Sequence, residues 1–343
     1  VLVLFLAAGV FTWIHSITVS TLGGSAWSEA AFLFAAGMLL SAADLPMDWY
    51  SQFRLEERFG FNKTTISLWL MDMLKEFLLG LILLYPLLVL VLGIIEWAGA
   101  AWWIWAWLAL TAFSLVISIL APLFILPLFN RFTPLPEGDL RDLLEGLARK
   151  AGVQFRTIEV MDGSRRSTHS NAFMTGIGRF RKIALFDTLL NQLAHEEIQA
   201  VLAHEMGHLR KKHILKQFLF SSMKSLLGLY LVSLFLKQPW LVEPFGFQAG
   251  ELGPALLMVS VFASLILFWL NPLMHFLSRK YEYEADRFAV EILEKSSPLI
   301  DALRKLHKEN LSNPAPHPWY SAFYYSHPTL REREQAMRKI SAA

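Results

Sequence analysis

The segment His204-Glu205-Met206-Gly207-His208 sets two imidazoles four positions apart, with a carboxylate beside the first. On a helix, positions i and i+4 share one face, one turn apart. Two imidazoles so placed can hold one Zn²⁺, and the neighbouring Glu can reach water at the metal. Catalytic zinc takes three protein ligands and keeps one position open. A third ligand is therefore expected elsewhere in the chain. The stretch Ser278-Arg279-Lys280-Tyr281-Glu282-Tyr283-Glu284-Ala285-Asp286 offers three acids. Glu282 and Asp286 share a helical face, whereas Glu284 points elsewhere. One of that pair can bind metal while the other orients a ligand His. Arg210, Lys211, Lys212 and His213, which follow the motif, read as a charged solvated face. Cysteine is absent, which excludes a disulfide framework, a thiolate metal site and a cysteine nucleophile.

Several elements must position these groups. Ile198, Val201 and Leu202 give the residues before the motif an amphipathic helical period, so a helix is expected from about His195. Ahead of it the pattern predicts a helix over 140–151 and short strands over 157–161, 171–175 and 182–186. Block 276–343 reads as helices with a Pro-rich loop at 313–319. Neither 131–213 nor 276–343 is comfortably large alone, so the two are expected to fold together. Gly176-Ile177-Gly178 lacks the third Gly and the flanking pattern of a nucleotide loop.

The rest of the chain is apolar. Hydrophobic residues make up 55% and charged residues only 17% of 343 positions, against about 25% charged in soluble proteins. Twelve Trp suit bilayer interfaces. A spanning helix needs about 20 apolar residues. Six stretches qualify, at 1–22, 27–47, 66–95, 97–130, 214–236 and 252–275. The organisation expected is membrane helices in 1–130, a catalytic block in 131–213, a membrane hairpin in 214–275 and a second block in 276–343. Of 31 Lys and Arg, only Lys237 falls in the loops on one side, and the long loop and tail carry most of the rest. That bias predicts a cytoplasm-facing catalytic part. Asp72, Lys75, Glu76, Lys216 and Lys224 interrupt apolar stretches and are expected to pair, snorkel or face a water-filled interior. A net charge of +2 gives no reason to expect nucleic acid.

These features together resemble the type I CAAX prenyl protease family of integral membrane zinc metalloproteases, and more distantly the shorter heat-shock-type membrane proteases. Glu56-Glu57-Arg58-Phe59-Gly60-Phe61-Asn62-Lys63 resembles the family's Glu-Glu-x-x-Gly-Phe-Asn loop. Ala121-Pro122-Leu123-Phe124, Phe132-Thr133-Pro134-Leu135-Pro136, His169-Ser170-Asn171-Ala172-Phe173 and Phe186-Asp187-Thr188-Leu189-Leu190 continue the likeness. Ser326-His327-Pro328 with Glu332-Arg333 is similar to its terminal motif.

The resemblance implies a mainly α, polytopic membrane protein with a zincin-like (gluzincin) catalytic domain holding a small β-sheet. It implies His204, His208 and Glu282 as ligands of Zn²⁺, Glu205 as general base and Asp286 behind a ligand His. It places Asn171 and Ala172 on an edge strand that pairs with substrate, and His327 and Arg333 near the scissile carbonyl. The implied reaction removes the C-terminal tripeptide of prenylated peptides within a chamber enclosed by the helices. The implied partners are a peptide or protein substrate and the lipid bilayer. The alternatives are a quality-control membrane protease and an inactive scaffold or carrier, and the intact Glu205 argues against the latter.

The family has three spans before the Glu-Glu-x-x-Gly-Phe-Asn loop, and two are counted here. With Val at position 1, this suggests that the first family span is missing from this sequence. The compact spacing of the motifs is similar to a prokaryotic member, in a cytoplasmic membrane. A eukaryotic one would sit in the endoplasmic reticulum or inner nuclear membrane.

Overall fold

The computed structural model describes residues 1–176 and 181–342. Ile177 and Gly178 of the Gly-rich stretch lie outside them. The helices are α1 (Leu2–Ala7), α2 (Val10–Leu22), α3 (Ala26–Tyr50), α4 (Ile66–Leu79), α5 (Tyr85–Trp97), α6 (Trp102–Leu120), α7 (Leu126–Phe129) and α8 (Asp139–Ala151). They continue with α9 (Asp187–Gln192), α10 (His195–Arg210), α11 (His213–Phe235), α12 (Leu252–Leu293), α13 (Ser297–Glu309), α14 (Pro318–Tyr324) and α15 (Leu330–Ser341). The strands are β1 (Phe132–Pro134), β2 (Thr157–Met161), β3 (Ala172–Thr175) and β4 (Lys182–Phe186). The chain forms two compact units: Val1–Phe59, Thr65–Val116 and Leu219–Phe268 in the first, and Gly60–Thr64, Ile117–Phe218 and Trp269–Ala343 in the second.

Five helical runs are long and apolar enough to cross a membrane: Ala26–Glu56, Ile66–Trp97, Gly99–Phe129, His213–Phe235 and Leu252–Leu293. Their surfaces expose large apolar side chains such as Ile82, Ile266 and Trp269, as lipid-facing helices do. The sequence count of six spans needs one correction. Residues 1–22 are not one helix, because Gly9 takes the left-handed conformation at φ +67° and separates α1 from α2. Only Gly adopts that conformation without strain. Buried Phe11 and Phe32 anchor the first unit's core together with Ile95, Trp102, Leu241 and Met258. Glu29, an acid near the start of a span, accepts the Gly253 N–H at 2.8 Å at the start of α12. This is a favourable place for a carboxylate, since helix N-termini carry unpaired donors. Asp72 and Lys75 pair at 3.3 Å, and Lys216 lies 5.6 Å over the ring of Tyr281.

The sheet of the second unit has the order β1-β2-β4-β3. β2 and β4 run parallel, with Thr157 opposite Lys182 and Met161 opposite Phe186. β3 is antiparallel to β4 and lies at the edge. The middle of β4, Ile183-Ala184-Leu185, is buried, as expected of an inner strand covered on both faces. Leu144 of α8, Leu189 of α9, and Ile198, Leu202 and Met206 of α10 join it in the core. α10 begins where the Ala194 N–H donates to the Glu197 carboxylate at 2.7 Å, which satisfies one orphan donor of the helix start. The helix expected after residue 276 is not separate. α12 runs unbroken for 42 residues, about 63 Å at 1.5 Å per residue. One helix thus holds an apolar segment long enough to span and all three candidate acids.

Candidate active site

α10 presents His204 and His208 on one face, as their spacing requires. Glu282 of α12 meets both. His204 Nε2 lies 3.1 Å from His208 Nε2 and 3.4 Å from Glu282 Oε2, and His208 Nε2 lies 3.3 Å from Glu282 Oε1. Three such atoms within 4.8 Å of one another could hold a metal ion. Glu282 is 4% exposed. Its Oε2 also lies 2.9 Å from His327 Nδ1, yet no neighbour has hydrogen-bonding geometry to it. A buried carboxylate oxygen left so is costly, and a bound cation would satisfy it. The donor set therefore fits a metal.

Glycine brings the two helices together. A Cβ on Gly207 would stand 2.9 Å from the Ala285 Cα and 3.0 Å from its carbonyl oxygen. Only a residue without a side chain permits this approach, which puts Glu282 within reach of both histidines. No role for Gly207 was read from the sequence; a glycine inside a helix, which costs about 1 kcal/mol against Ala, was the available signal.

Asp286, one turn beyond Glu282, is 1% exposed. It lies 2.9 Å from His204 Nδ1. Arg333 of α15 donates to it twice, from Nε at 2.8 Å and from a terminal nitrogen at 2.6 Å. The resemblance places Arg333 with His327 near the scissile carbonyl. Its guanidinium forks onto Asp286, lies 3.7 Å from Glu282 Oε2 and is 7% exposed at the residue level, a bidentate geometry that fixes both partners. His327 remains largely open to solvent. A cavity of about 470 Å³ adjoins these two residues and is also lined by His307, Asn313 and Tyr325.

The buried acids set the electrostatics. Burial alone would lower the His204 pKa, but hydrogen bonds to Asp286 and Glu282 outweigh it and push it up to about 9. Burial raises the Glu205 carboxyl above the usual carboxylate range, while His204 and His208 pull the other way. No hydrogen bond or ion pair holds the Glu205 carboxylate among the described residues.

β3 packs against α10. Asn171 precedes β3, and its carbonyl accepts from the Phe186 N–H at 3.0 Å. Residues alternate in the direction of their backbone groups, so Ala172 and Met174 turn theirs outward. The Ala172 N–H is already taken by the Asn171 side chain at 2.8 Å. The outward groups left for a pairing strand are the Ala172 carbonyl and both groups of Met174, a residue sequence reasoning did not single out. A second correction concerns His213. Read with the Arg-Lys-Lys run as solvated, it is 1% exposed and contacts His208.

Comparison with known proteins agrees with this architecture. Residues 1–131 match the family described as CAAX prenyl protease N-terminal, five membrane helices, and residues 134–341 match peptidase family M48. CAAX prenyl protease 1 of Saccharomyces cerevisiae is 38% identical over 332 residues, which cover 90% of this chain and 72% of that protein. The CAAX prenyl protease 1 homolog of Homo sapiens is 33% identical over 350 residues, with 90% and 73% covered. The crystal structure of S. mikatae Ste24p superposes with a TM-score of 0.91 at 33% identity, over 97% of this chain and 82% of that one. A metal cofactor follows from the peptidase match. The chain is a mainly α, multi-pass membrane protein, and it belongs to peptidase family M48, in the branch that joins the peptidase part to CAAX prenyl protease N-terminal helices.

Proposed function

We propose that the protein is a zinc endopeptidase that removes the C-terminal tripeptide of prenylated CAAX peptides at the cytoplasmic side of its membrane. The observation that carries this reading is the convergence of His204, His208 and Glu282 around one point, with Glu205 adjoining on α10. Tetrahedral zinc with bonds of about 2.0–2.1 Å holds neighbouring ligand atoms about 3.3 Å apart. The separations of 3.1, 3.4 and 3.3 Å support zinc on that count. When bound, zinc supplies a Lewis acid for the scissile carbonyl and for the attacking water.

The remaining work belongs to the chain's own groups. The substrate extends along β3 by strand addition, held by the Ala172 carbonyl and the Met174 amide. Glu205 takes a proton from the attacking water and passes it to the leaving amine. Its raised pKa suits both halves of that transfer, since a base works best with a pKa near the operating pH. His327 donates to the oxyanion that develops on the carbonyl. Asp286 accepts the proton on His204 Nδ1 and so leaves Nε2 free as a ligand. Arg333 compensates the Asp286 charge in a place that water does not reach. Asn171 orients the first outward group of the strand by capping its amide.

The match of residues 1–131 to the CAAX-type membrane helices favours this substrate class over that of the heat-shock-type proteases. The test is cleavage of a farnesylated CAAX peptide and its unprenylated twin by purified protein. Glu205→Gln is expected to lower turnover at least about 100-fold, the usual worth of a general base, with zinc content unchanged. Equal cleavage of both peptides would remove prenyl recognition from the proposal. Full activity in Glu205→Gln would remove the mechanism.

A further inference from the structure

His208 faces the ligand cluster through Nε2, so its other ring nitrogen must be accounted for. Nδ1 lies 3.0 Å from Nδ1 of His213. His213 is buried, and its Nε2 lies 3.0 Å from Glu284 Oε2. Its ring stacks on Tyr281, with centroids 4.3 Å apart and planes 16° apart. Two of these partners, Tyr281 and Glu284, come from the same stretch of α12 as Glu282 and Asp286.

From this we infer that His213 and Glu284 form a positioning relay for His208. The inference rests on the reading of His208 as a metal ligand. A ligand imidazole bonds through a lone pair and carries its proton on the other nitrogen. With Nε2 given to the metal, the His208 proton sits on Nδ1 and must be donated. The acceptor is the Nδ1 lone pair of His213. The His213 proton then sits on Nε2 and is donated to the Glu284 carboxylate. Each contact in the chain has one donor and one acceptor, and no other arrangement of these protons satisfies both. The two metal histidines are thus held by carboxylates of one helix: His204 by Asp286 directly, His208 by Glu284 through an interposed ring. Tyr281 fixes the plane of that ring, so the lone pair presented to His208 has a set direction.

Neither His213 nor Glu284 touches the reacting atoms, so their effect is read at the metal. His213→Phe keeps the stack on Tyr281 and removes the acceptor. It is expected to weaken zinc affinity, measured by chelator competition, about 10- to 100-fold, the usual effect of losing a partner behind a ligand. The visible ligand-field bands of the Co²⁺-substituted protein should shift as His208 loses its fixed orientation. His213→Gln can present an amide oxygen to His208 and should recover part of the affinity. Glu284→Ala should move both readouts the same way by less. A merely structural role would lower the thermal midpoint of the chelated protein and leave affinity and spectrum alone. Zinc binding within twofold of wild type in His213→Phe, with an unchanged cobalt spectrum, overturns the relay. If that variant does not fold, the same result in Glu284→Ala overturns it. Loss of zinc in His204→Ala beside intact binding in His213→Phe keeps the zinc site and rejects the relay, whereas wild type that binds no zinc rejects both.

Discussion

At the scale of single residues, the site is a set of charges that can coexist only in a particular protonation. His204 has a pKa pushed up to about 9 by Asp286 and Glu282, above its ordinary 6.5. Its imidazolium therefore stabilises the metal-free fold fully below about pH 6.5, and that contribution is lost as pH rises through about 9. A metal ligand must be neutral. Zinc binding at pH 7 should thus expel about one proton from His204, and affinity should climb until about pH 9. Calorimetry in buffers of different ionisation enthalpy reads this directly, and a binding heat independent of buffer at pH 7 would contradict it. The histidine pair and Glu205 were legible in the sequence because one helical turn contains them. The burial of Arg333 and of His213 was not legible in the sequence for a common reason. Both are charged or polar residues beside other charges, and only tertiary contacts bury them, against Asp286 in one case and between His208 and Glu284 in the other.

Among the elements, the contact of α10 with α12 governs the site. Gly207→Ala would gain about 1 kcal/mol of helix propensity. It would also force the Ala285 backbone away, and overpacking of that kind costs about 1–3 kcal/mol. The expected net result is a lower apparent melting midpoint, with zinc affinity reduced because Glu282 moves with α12. A melting midpoint equal to wild type with full zinc affinity would show that the helices can part freely. Periodicity placed β2, α8 and the start of α10 well, since each alternates or repeats over several residues, and β4 was visible as a short apolar run. β1 went unseen because its three residues include Pro134 and bury little. The continuity of α12 was also hidden, because hydropathy falls near residue 276 while the helical backbone does not stop. The break at Gly9 escaped a hydropathy count, which cannot register a backbone angle.

The whole molecule divides its labour by solvent. Five long helices expose apolar surface, while the sheet and α10 belong to an ordinary water-type core. The distribution of Lys and Arg predicts that the peptidase part faces the cytoplasm. Because the chain has no cysteine, a single introduced one reports sidedness without interference. Arg149→Cys on α8 and Gln248→Cys in the link before α12 are both exposed positions. In sealed cells or inside-in vesicles, an impermeant maleimide should label Gln248→Cys at once and Arg149→Cys only after permeabilisation. The reverse order would invert the orientation.

The approach of Gly207 to Ala285 has one more consequence, for metal selectivity. The spacing of α10 and α12 behind the ligand side chains is set where two backbones meet with no side chain between them. A cation close to zinc in radius, such as cobalt(II), is expected to bind with both helices as they stand. The larger cadmium ion needs longer bonds, and whatever part of that length the side chains do not absorb would press on a contact that a single methyl group would already crowd. A preference for zinc over cadmium is therefore the expected outcome, and competitive metal binding measures it.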